Sequence, residues 1–170
     1  VRTHSPRVVA ARKTIVELLL ASHPDDCLYC ERSGECQLQE LAAEYNVGER
    51  RFTPASRGVR VVNEHQPDIS GPAIVRDPAK CILCGKCVRV CEEIQGVACI
   101  DFTGRGSRAM VATAFDKGLN VSACVNCGQC VKACPTGALR EQSHIRRVLQ
   151  AIDDPNTFVV VQHAPSVSVT

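Results

Sequence analysis

Aromatic residues and methionine are scarce in this chain of 170 residues. It contains no tryptophan, one methionine, two tyrosines and four phenylalanines. Because such side chains supply much of the area that a small domain buries, their scarcity excludes a core built mainly on aromatic packing. The interior therefore needs another material around which to pack.

Long apolar segments are also absent. No stretch is long enough to span a membrane, and no apolar signal region opens the chain. Twelve cysteines without an export signal indicate a reducing compartment, so we expect a cytoplasmic location. The formal net charge of +2 gives no reason to expect nucleic acid as a partner, and we expect no membrane span.

Eleven of the twelve cysteines fall into three groups. Two groups share the spacing C-x2-C-x2-C-x3-C, and Pro135 follows the second directly. This spacing allows three thiolates from one loop to bind a [4Fe-4S] cubane while the fourth reaches the neighbouring cluster. The sequence therefore predicts two [4Fe-4S] clusters on Cys81, Cys84, Cys87, Cys91, Cys124, Cys127, Cys130 and Cys134.

The third group combines one histidine with three cysteines. His23, Cys27, Cys30 and Cys36 have the spacing H-x3-C-x2-C-x5-C. Thiolate and imidazole are soft and borderline ligands of the kind that iron–sulfur sites take. We interpret this group as the site of a third cluster with one imidazole ligand. The other four histidines stand at no such spacing from cysteine.

Disulfides and zinc are the alternatives for these cysteines. The tight C-x2-C triplets and the missing export signal disfavour six disulfides. Zinc ribbons use two separated C-x2-C pairs for each site, whereas each run here has four cysteines within eleven residues. Zinc stays open chiefly for the His23 group, because three cysteines and one histidine also suit a structural zinc. Cys99 lies outside every motif, and we expect it to be a small buried residue that binds no iron.

Secondary-structure signals divide the chain into four parts. Apolar periodicity after the cap at Ser5 predicts a helix to about Ser22, and a second short helix begins at Cys36 and stops near Gly48. Residues 49–72 are rich in arginine, proline and glycine, which indicates a linker. The cysteine motif then repeats 43 residues further on, and a hairpin is predicted around residues 104–106.

These signals predict an α+β fold. A small helical cluster domain with one His and three Cys ligands spans residues 1–48, and a linker spans 49–76. A ferredoxin-like domain with two [4Fe-4S] clusters and a pseudo-two-fold repeat spans 77–142. In residues 143–170 we predict a helix from His144 to about Ile152, capped by Ser143, and then a buried strand over 158–162 that leads into a missing catalytic domain.

Three stretches resemble the accessory cluster domains of [FeFe]-hydrogenases. They are His23-Pro24-Asp25-Asp26-Cys27, Cys36-Gln37-Leu38-Gln39-Glu40-Leu41-Ala42 and the run from Cys81 to Cys91. Related stretches occur in the large subunit of NADH dehydrogenase and in some formate dehydrogenases. The tail, with Ser143-His144-Ile145 and residues 159–167, resembles the passage from the ferredoxin domain into the hydrogen-activating domain. The resemblance covers nearly the whole chain.

The resemblance implies three ligand sets and an electron-relay function. The sets are His23, Cys27, Cys30 and Cys36; Cys81, Cys84, Cys87 and Cys134; and Cys91, Cys124, Cys127 and Cys130. It places the H-cluster and a plant-type [2Fe-2S] cluster only in flanking domains that this chain lacks, so no catalytic residue is expected here. The implied partners are flavin- and NAD(P)-binding and [2Fe-2S] subunits of a possible electron-bifurcating oxidoreductase, or ferredoxin.

Two other functions remain open. The same relay could belong to a molybdenum or tungsten formate dehydrogenase, or the chain could be an independent polyferredoxin carrier. An apolar strand at residues 158–161 would have no purpose in an independent carrier, and a formate dehydrogenase would continue into a different domain with a further cysteine cluster. The tail therefore favours the hydrogenase interpretation.

Overall fold

The computed structural model describes residues 1–48, 51–53 and 66–167. Within them lie five α-helices and four short strands, joined by single 3-10 turns. The helices are α1 (Pro6–Ala21), α2 (Gln37–Glu44), α3 (Lys86–Arg89), α4 (Gln129–Ala133) and α5 (Ile145–Asp153). The strands are β1 (Ile74–Arg76), β2 (Asp101–Thr103), β3 (Met110–Ala112) and β4 (Leu139–Glu141). In this part of the chain no helix has the length and apolar character that crossing a membrane requires.

Two helices form the first part of the fold. The Ser5 hydroxyl accepts a hydrogen bond from the backbone of Val8, with Pro6 at the first helical position, so α1 begins where the sequence predicted. α2 ends earlier than predicted, because the backbone N-H of Tyr45 closes it on the Leu41 carbonyl well before Gly48. The two helices enclose a small core of Val16, Cys36 and Leu38, against which Ile82 of the later chain packs.

The predicted linker, residues 49–76, is partly ordered against its neighbours. Arg51 forms an ion pair of 2.7 Å with Glu17, a side chain of α1 that is only 2% exposed. Because a buried carboxylate needs a charged or hydrogen-bonding partner, Arg51 anchors this part of the predicted linker to α1, although 61% of its side chain is exposed. Arg50, Arg57 and Arg60 lie outside the described residues.

The end of that predicted linker is a buried strand. β1 pairs antiparallel with β4 in the register Val75 to Arg140, and Ile74 and Val75 are buried. Arg76 donates hydrogen bonds of 2.9 Å to the Val111 carbonyl and to Asp116, which ties the strand to the chain after β3. A strand of three residues is too short to show a period, so nothing in the sequence distinguishes it from the predicted linker.

The second sheet is the predicted hairpin, in which β2 and β3 pair antiparallel around the turn at residues 104–106. The helices α3 and α4 lie within the two cysteine runs and pack against each other. Each helix begins after a glycine with φ of 73°, Gly85 and Gly128, a conformation that favours glycine. The residues two positions earlier, Leu83 and Asn126, also have positive φ, of 56° and 55°. The two cysteine loops therefore share a local backbone shape, while a two-fold relation between the halves stays a prediction.

The C-terminal segment departs from the prediction in two respects. α5 has His144, not Ser143, at its cap position, where the His144 ring donates to the Pro72 carbonyl at 2.7 Å instead of capping the helix. No strand forms over residues 158–162, and Phe158 is 92% exposed. A strand needs a neighbouring strand for its backbone hydrogen bonds, and none of the described residues provides one here.

Candidate iron–sulfur centres

The first cavity lies between α1 and α2. It is lined by His23, Cys27, Cys30 and Cys36. His23 follows the end of α1, and Cys36 is the residue that precedes α2, so the two helix ends hold the outer donors. Cys27 opens a single 3-10 turn that ends at Tyr29, immediately before Cys30. The loop between the helices therefore brings all four predicted ligands of this group to one cavity.

The second cavity takes its donors from two distant parts of the chain. It is lined by Cys81, Cys84 and Cys87 of the first run and by Cys134 of the second. Cys87 lies in α3, and Cys134 follows the end of α4. The remaining walls are largely apolar and include Val111, Pro135 and Leu139.

The third cavity has the converse composition. Its predicted donors are Cys91 from the first run and Cys124, Cys127 and Cys130 from the second. Cys91 lies in a π-helical turn, Val90–Ile94, that continues α3. The structure thus brings together the members of each ligand set that the resemblance implied, and ligation of iron by them stays a prediction.

Backbone N-H groups point at the first cysteine of each run. Leu83 donates to Cys81 Sγ and Asn126 donates to Cys124 Sγ, both at 3.4 Å. The positive φ of both donor residues is a conformation that L-amino acids rarely adopt. Such N-H···S hydrogen bonds stabilise negative charge on sulfur, which is the charge that a thiolate ligand carries. Both loops are therefore suited to hold thiolates.

Burial makes these thiolates costly without a positive partner. It raises the pKa of Cys87 to about 12, with a further contribution from Cys81, Cys134 and other neighbouring thiols. Burial likewise raises the pKa of Cys130 to about 11, and Cys124 adds to the effect. Iron supplies the positive charge that compensates, and its binding must therefore release protons. The donor sets fit iron–sulfur clusters on these grounds.

The spacing of the donors bears on the two alternatives. All twelve cysteines lie in the described residues, and none of them forms a disulfide. The donors of each predicted set line the walls of one cavity. A cubane would occupy such a space, whereas a zinc ion would draw its sulfurs to about 2.3 Å from its centre.

A short turn separates the first cavity from the second. The Gln37 N-H, next to Cys36, donates to the Pro135 carbonyl, next to Cys134, at 3.0 Å. Arg32 donates to the carbonyls of Val131 and Cys134 at 3.0 and 3.1 Å, which satisfies the open end of α4. The hydrogen bond from Gln37 to Pro135 therefore links the residue after Cys36, at the first cavity, to the residue after Cys134, at the second.

Lys80 places a positive charge at the same boundary. It directly precedes Cys81 and forms an ion pair of 2.8 Å with Asp26, which precedes Cys27. Burial alone would lower the pKa of Lys80, but the hydrogen bond to Asp26 and the charge of Cys30 outweigh it, so the pKa is raised. The ammonium group therefore stays charged between the two cavities.

Helices separate the second cavity from the third. Cys87 and Cys91 are four residues apart on α3 and its π-helical extension, and Cys130 and Cys134 are four apart around α4. One helical turn rises about 5.4 Å. Each helix therefore contributes one donor to the second cavity and one to the third, which places the two cavities side by side.

Two residues of these sites have no signal in the sequence. Cys99 lines the third cavity, with its Sγ 3.6 Å from Cys91 Sγ. Gly137 lines the first cavity although it lies more than a hundred residues from Cys30. No spacing rule links either residue to its cavity, because the chain brings them there by tertiary packing.

Family comparisons match both cysteine-bearing parts. Residues 12–51 match the model described as the NADH-ubiquinone oxidoreductase-G iron-sulfur binding region. Residues 71–140 match the model of the NADH-quinone oxidoreductase subunit 3 ferredoxin-like domain. The second match begins before β1, in agreement with the place of that strand in the ferredoxin-like part.

Relatives come from hydrogenases and from NADH dehydrogenases. The chain is 44% identical over 98% of its length to the NADP-reducing hydrogenase subunit HndD of Solidesulfovibrio fructosivorans, of which it covers 28%. It is 35% identical over 86% of its length to the mitochondrial 78 kDa subunit of NADH-ubiquinone oxidoreductase from Neurospora crassa, of which it covers 19%. The chain thus spans less than a third of either relative.

A solved structure has the same fold. A chain of an NAD+-reducing [NiFe]-hydrogenase in its H2-reduced state superposes with a TM-score of 0.73 at 30% identity. The match covers 82% of the present chain and 57% of that one. Proteins named as hydrogenases and proteins named as NADH-ubiquinone oxidoreductases therefore share a segment similar to this chain.

Gly137→Ala tests the wall of the first cavity. A Cβ at this position would lie 2.8 Å from Cys30 Sγ, closer than real Cβ atoms come, although the backbone has no positive φ to oppose alanine. We expect Cys30 to be displaced and iron content to fall from about twelve to about eight atoms per chain after anaerobic reconstitution. Gly48→Ala is the control, because a Cβ there meets nothing within 4 Å. Unchanged iron in Gly137→Ala would contradict the position assigned to Cys30.

Proposed function

We propose that this chain is the iron–sulfur part of an NADH-dehydrogenase-like, hydrogenase-associated subunit and that it relays electrons through three [4Fe-4S] clusters. One observation carries the proposal. Each of three cavities is lined by all four donors of one predicted ligand set. The clusters supply the one-electron chemistry, and the chain holds and spaces them.

We assign the first cavity to a cluster with one imidazole ligand. His23, Cys27, Cys30 and Cys36 hold it. Leu20 and Leu38 line the same cavity and limit the access of water. Because His23 is neutral where a fourth thiolate would be negative, this site has one negative charge fewer than the other two. The ligand set therefore favours the reduced state of this cluster more than four thiolates would.

The remaining two sites follow the crossover pattern. Cys81, Cys84, Cys87 and Cys134 hold the second cluster, and Cys91, Cys124, Cys127 and Cys130 hold the third. Each run contributes three donors to one cavity and one to the other, so neither site is complete without both halves. Cluster binding therefore also holds α3 and α4 together.

The walls between cavities give the order of the relay. The first and second cavities meet across the turn from Cys134 to Gly137, and the second and third across α3 and α4. The second cluster is therefore the middle member, and electrons pass between the outer two through it.

The whole protein is proposed to be a subunit of an [FeFe]-type hydrogenase. The hydrogenase relative matches over nearly the entire chain, including residues beyond the ferredoxin-like match. In this proposal an H-cluster domain and a [2Fe-2S] domain lie outside the present chain, and flavin- and NAD(P)-binding subunits are its redox partners. A reducing compartment such as the cytoplasm suits twelve cysteines that form no disulfide.

A relay in an NADH-quinone oxidoreductase is the second candidate. Both family models carry the names of such subunits, and so does the Neurospora crassa relative. The candidates differ in the electron donor. Reduction of the clusters by H2 in the full-length protein supports the hydrogenase, and reduction only by a nicotinamide-linked partner supports the oxidoreductase.

Iron content tests the relay proposal. After anaerobic reconstitution with iron and sulfide we expect about twelve iron atoms per chain, because three cavities each hold four. The measurement is iron, sulfide and zinc per chain on the purified protein. About eight iron atoms with one zinc would assign the first cavity to zinc and contradict the three-cluster relay.

Substitution of His23 tests the unusual ligand. His23→Cys is expected to keep about twelve iron atoms and to lower the midpoint potential of one cluster, because a thiolate stabilises the oxidised state more than imidazole does. A potentiometric titration followed by EPR measures the shift. His163→Ala, at an exposed histidine, is the control and should change nothing. The same three potentials in wild type and His23→Cys would exclude His23 as a ligand.

A further inference from the structure

Cys99 is the one cysteine outside the three proposed ligand sets, yet its thiol lines the third cavity. Its Sγ lies 3.6 Å from Cys91 Sγ, within hydrogen-bond distance for sulfur. The third cavity therefore contains five thiols, whereas a [4Fe-4S] cluster has four iron atoms for protein ligands. The fifth thiol needs a role other than ligation of an iron atom that already has its cysteine.

The backbone explains how Cys99 reaches this place. The Cys91 carbonyl accepts hydrogen bonds from the N-H groups of both Val97 and Ala98, at 3.0 and 3.3 Å. Ala98 has a positive φ of 48°, a conformation that an alanine rarely adopts. The chain is thereby folded back on Cys91 immediately before Cys99. This double tie places the Cys99 thiol beside the Cys91 thiol through a specific turn rather than through loose packing.

The direction of the S-H···S hydrogen bond follows from the chemistry of a ligand. A thiolate bound to iron has no proton, so Cys91 can only accept. Cys99 binds no iron in the proposed ligand sets, so its sulfur keeps the S-H group. Of these two sulfurs, 3.6 Å apart, Cys99 is therefore the donor.

We propose that Cys99 is a positioning residue for the third cluster, whose S-H donates to Cys91 Sγ and raises that cluster's reduction potential. The inference rests on the proposed relay function and goes beyond it. A hydrogen bond to a ligand sulfur withdraws electron density, which favours the reduced cluster and raises its potential. Cys99 thus sets the potential of one member of the relay without binding iron.

The corresponding corner of the second cavity lacks this donor. Its crossover ligand is Cys134, and the neighbouring hydroxyl, Thr136 Oγ1, lies 3.8 Å from Cys134 Sγ. That hydroxyl donates to the Lys80 carbonyl at 2.8 Å, so its proton is not directed at sulfur. The position 43 residues after Cys99 is Gln142, which has no thiol. The effect therefore distinguishes the third cluster from the second.

Cys99→Ala and Cys99→Ser test the proposal in the full chain with its clusters reconstituted. We expect Cys99→Ala to keep about twelve iron atoms and to lower the potential of a single cluster, with the other two as internal controls. Cys99→Ser should restore most of the shift, since its hydroxyl also donates. Loss of one EPR signal in Cys124→Ala identifies the third cluster, and the shifted signal must be that one.

Three results would overturn the proposal. An unchanged potential in Cys99→Ala would show that the Cys99–Cys91 contact does not influence the reduction potential of the third cluster. A raised potential would show that water entering the cavity affects the potential more than the Cys99–Cys91 hydrogen bond does. Loss of about four iron atoms would make Cys99 a ligand. Failure of the relay proposal looks different, because the unsubstituted chain itself would then lack three clusters.

Discussion

Cysteine side chains occupy core positions that aliphatic and aromatic side chains fill in most small proteins. Cys36 is part of the core between α1 and α2, and Cys87, Cys91 and Cys134 are part of the core of the ferredoxin-like part. Buried thiols resist ionisation, and burial raises the pKa of Cys87 to about 12. A fold that gathers thiolates in this way needs bound positive charge at its centre. This requirement accounts for strands of only three residues and for a chain with almost no aromatic side chains, because iron–sulfur clusters fill the space and link the elements.

The turn from Cys134 to Gly137 serves three purposes. Cys134 is a proposed ligand of the second cluster, and the Pro135 carbonyl receives the hydrogen bond from the residue after Cys36. Gly137 leaves room for Cys30 Sγ, which any larger residue would displace. Arg32 binds the carbonyls at the same end of α4. The helical part therefore docks on the turn that carries the crossover ligand of the proposed second site, so that docking and the proposed electron transfer share one interface.

Local sequence patterns predicted the elements that depend only on neighbouring residues. Ser5 and Pro6 marked the start of α1, and the glycine turn at 104–106 marked the β2–β3 hairpin. The three donor groups were also visible as spacings. β1 has no sequence signal because three buried residues show no period, and residues 158–162 form no strand in the described chain because a β-branched run does not supply its own partner strand. Cys99 was expected to be merely packed. Its position beside Cys91 depends on the turn at Ala98, which no motif encodes.

Magnetic coupling between reduced clusters tests the central claim most directly, because a relay requires clusters that are close as well as present. In the fully reduced chain, EPR should show a broadened signal that integrates to about three spins, since three cubanes stand in neighbouring cavities. Partial reduction should give a simpler spectrum, because isolated reduced clusters have no coupled neighbour. Three sharp, independent signals at full reduction would contradict the account, as would a total of only two spins.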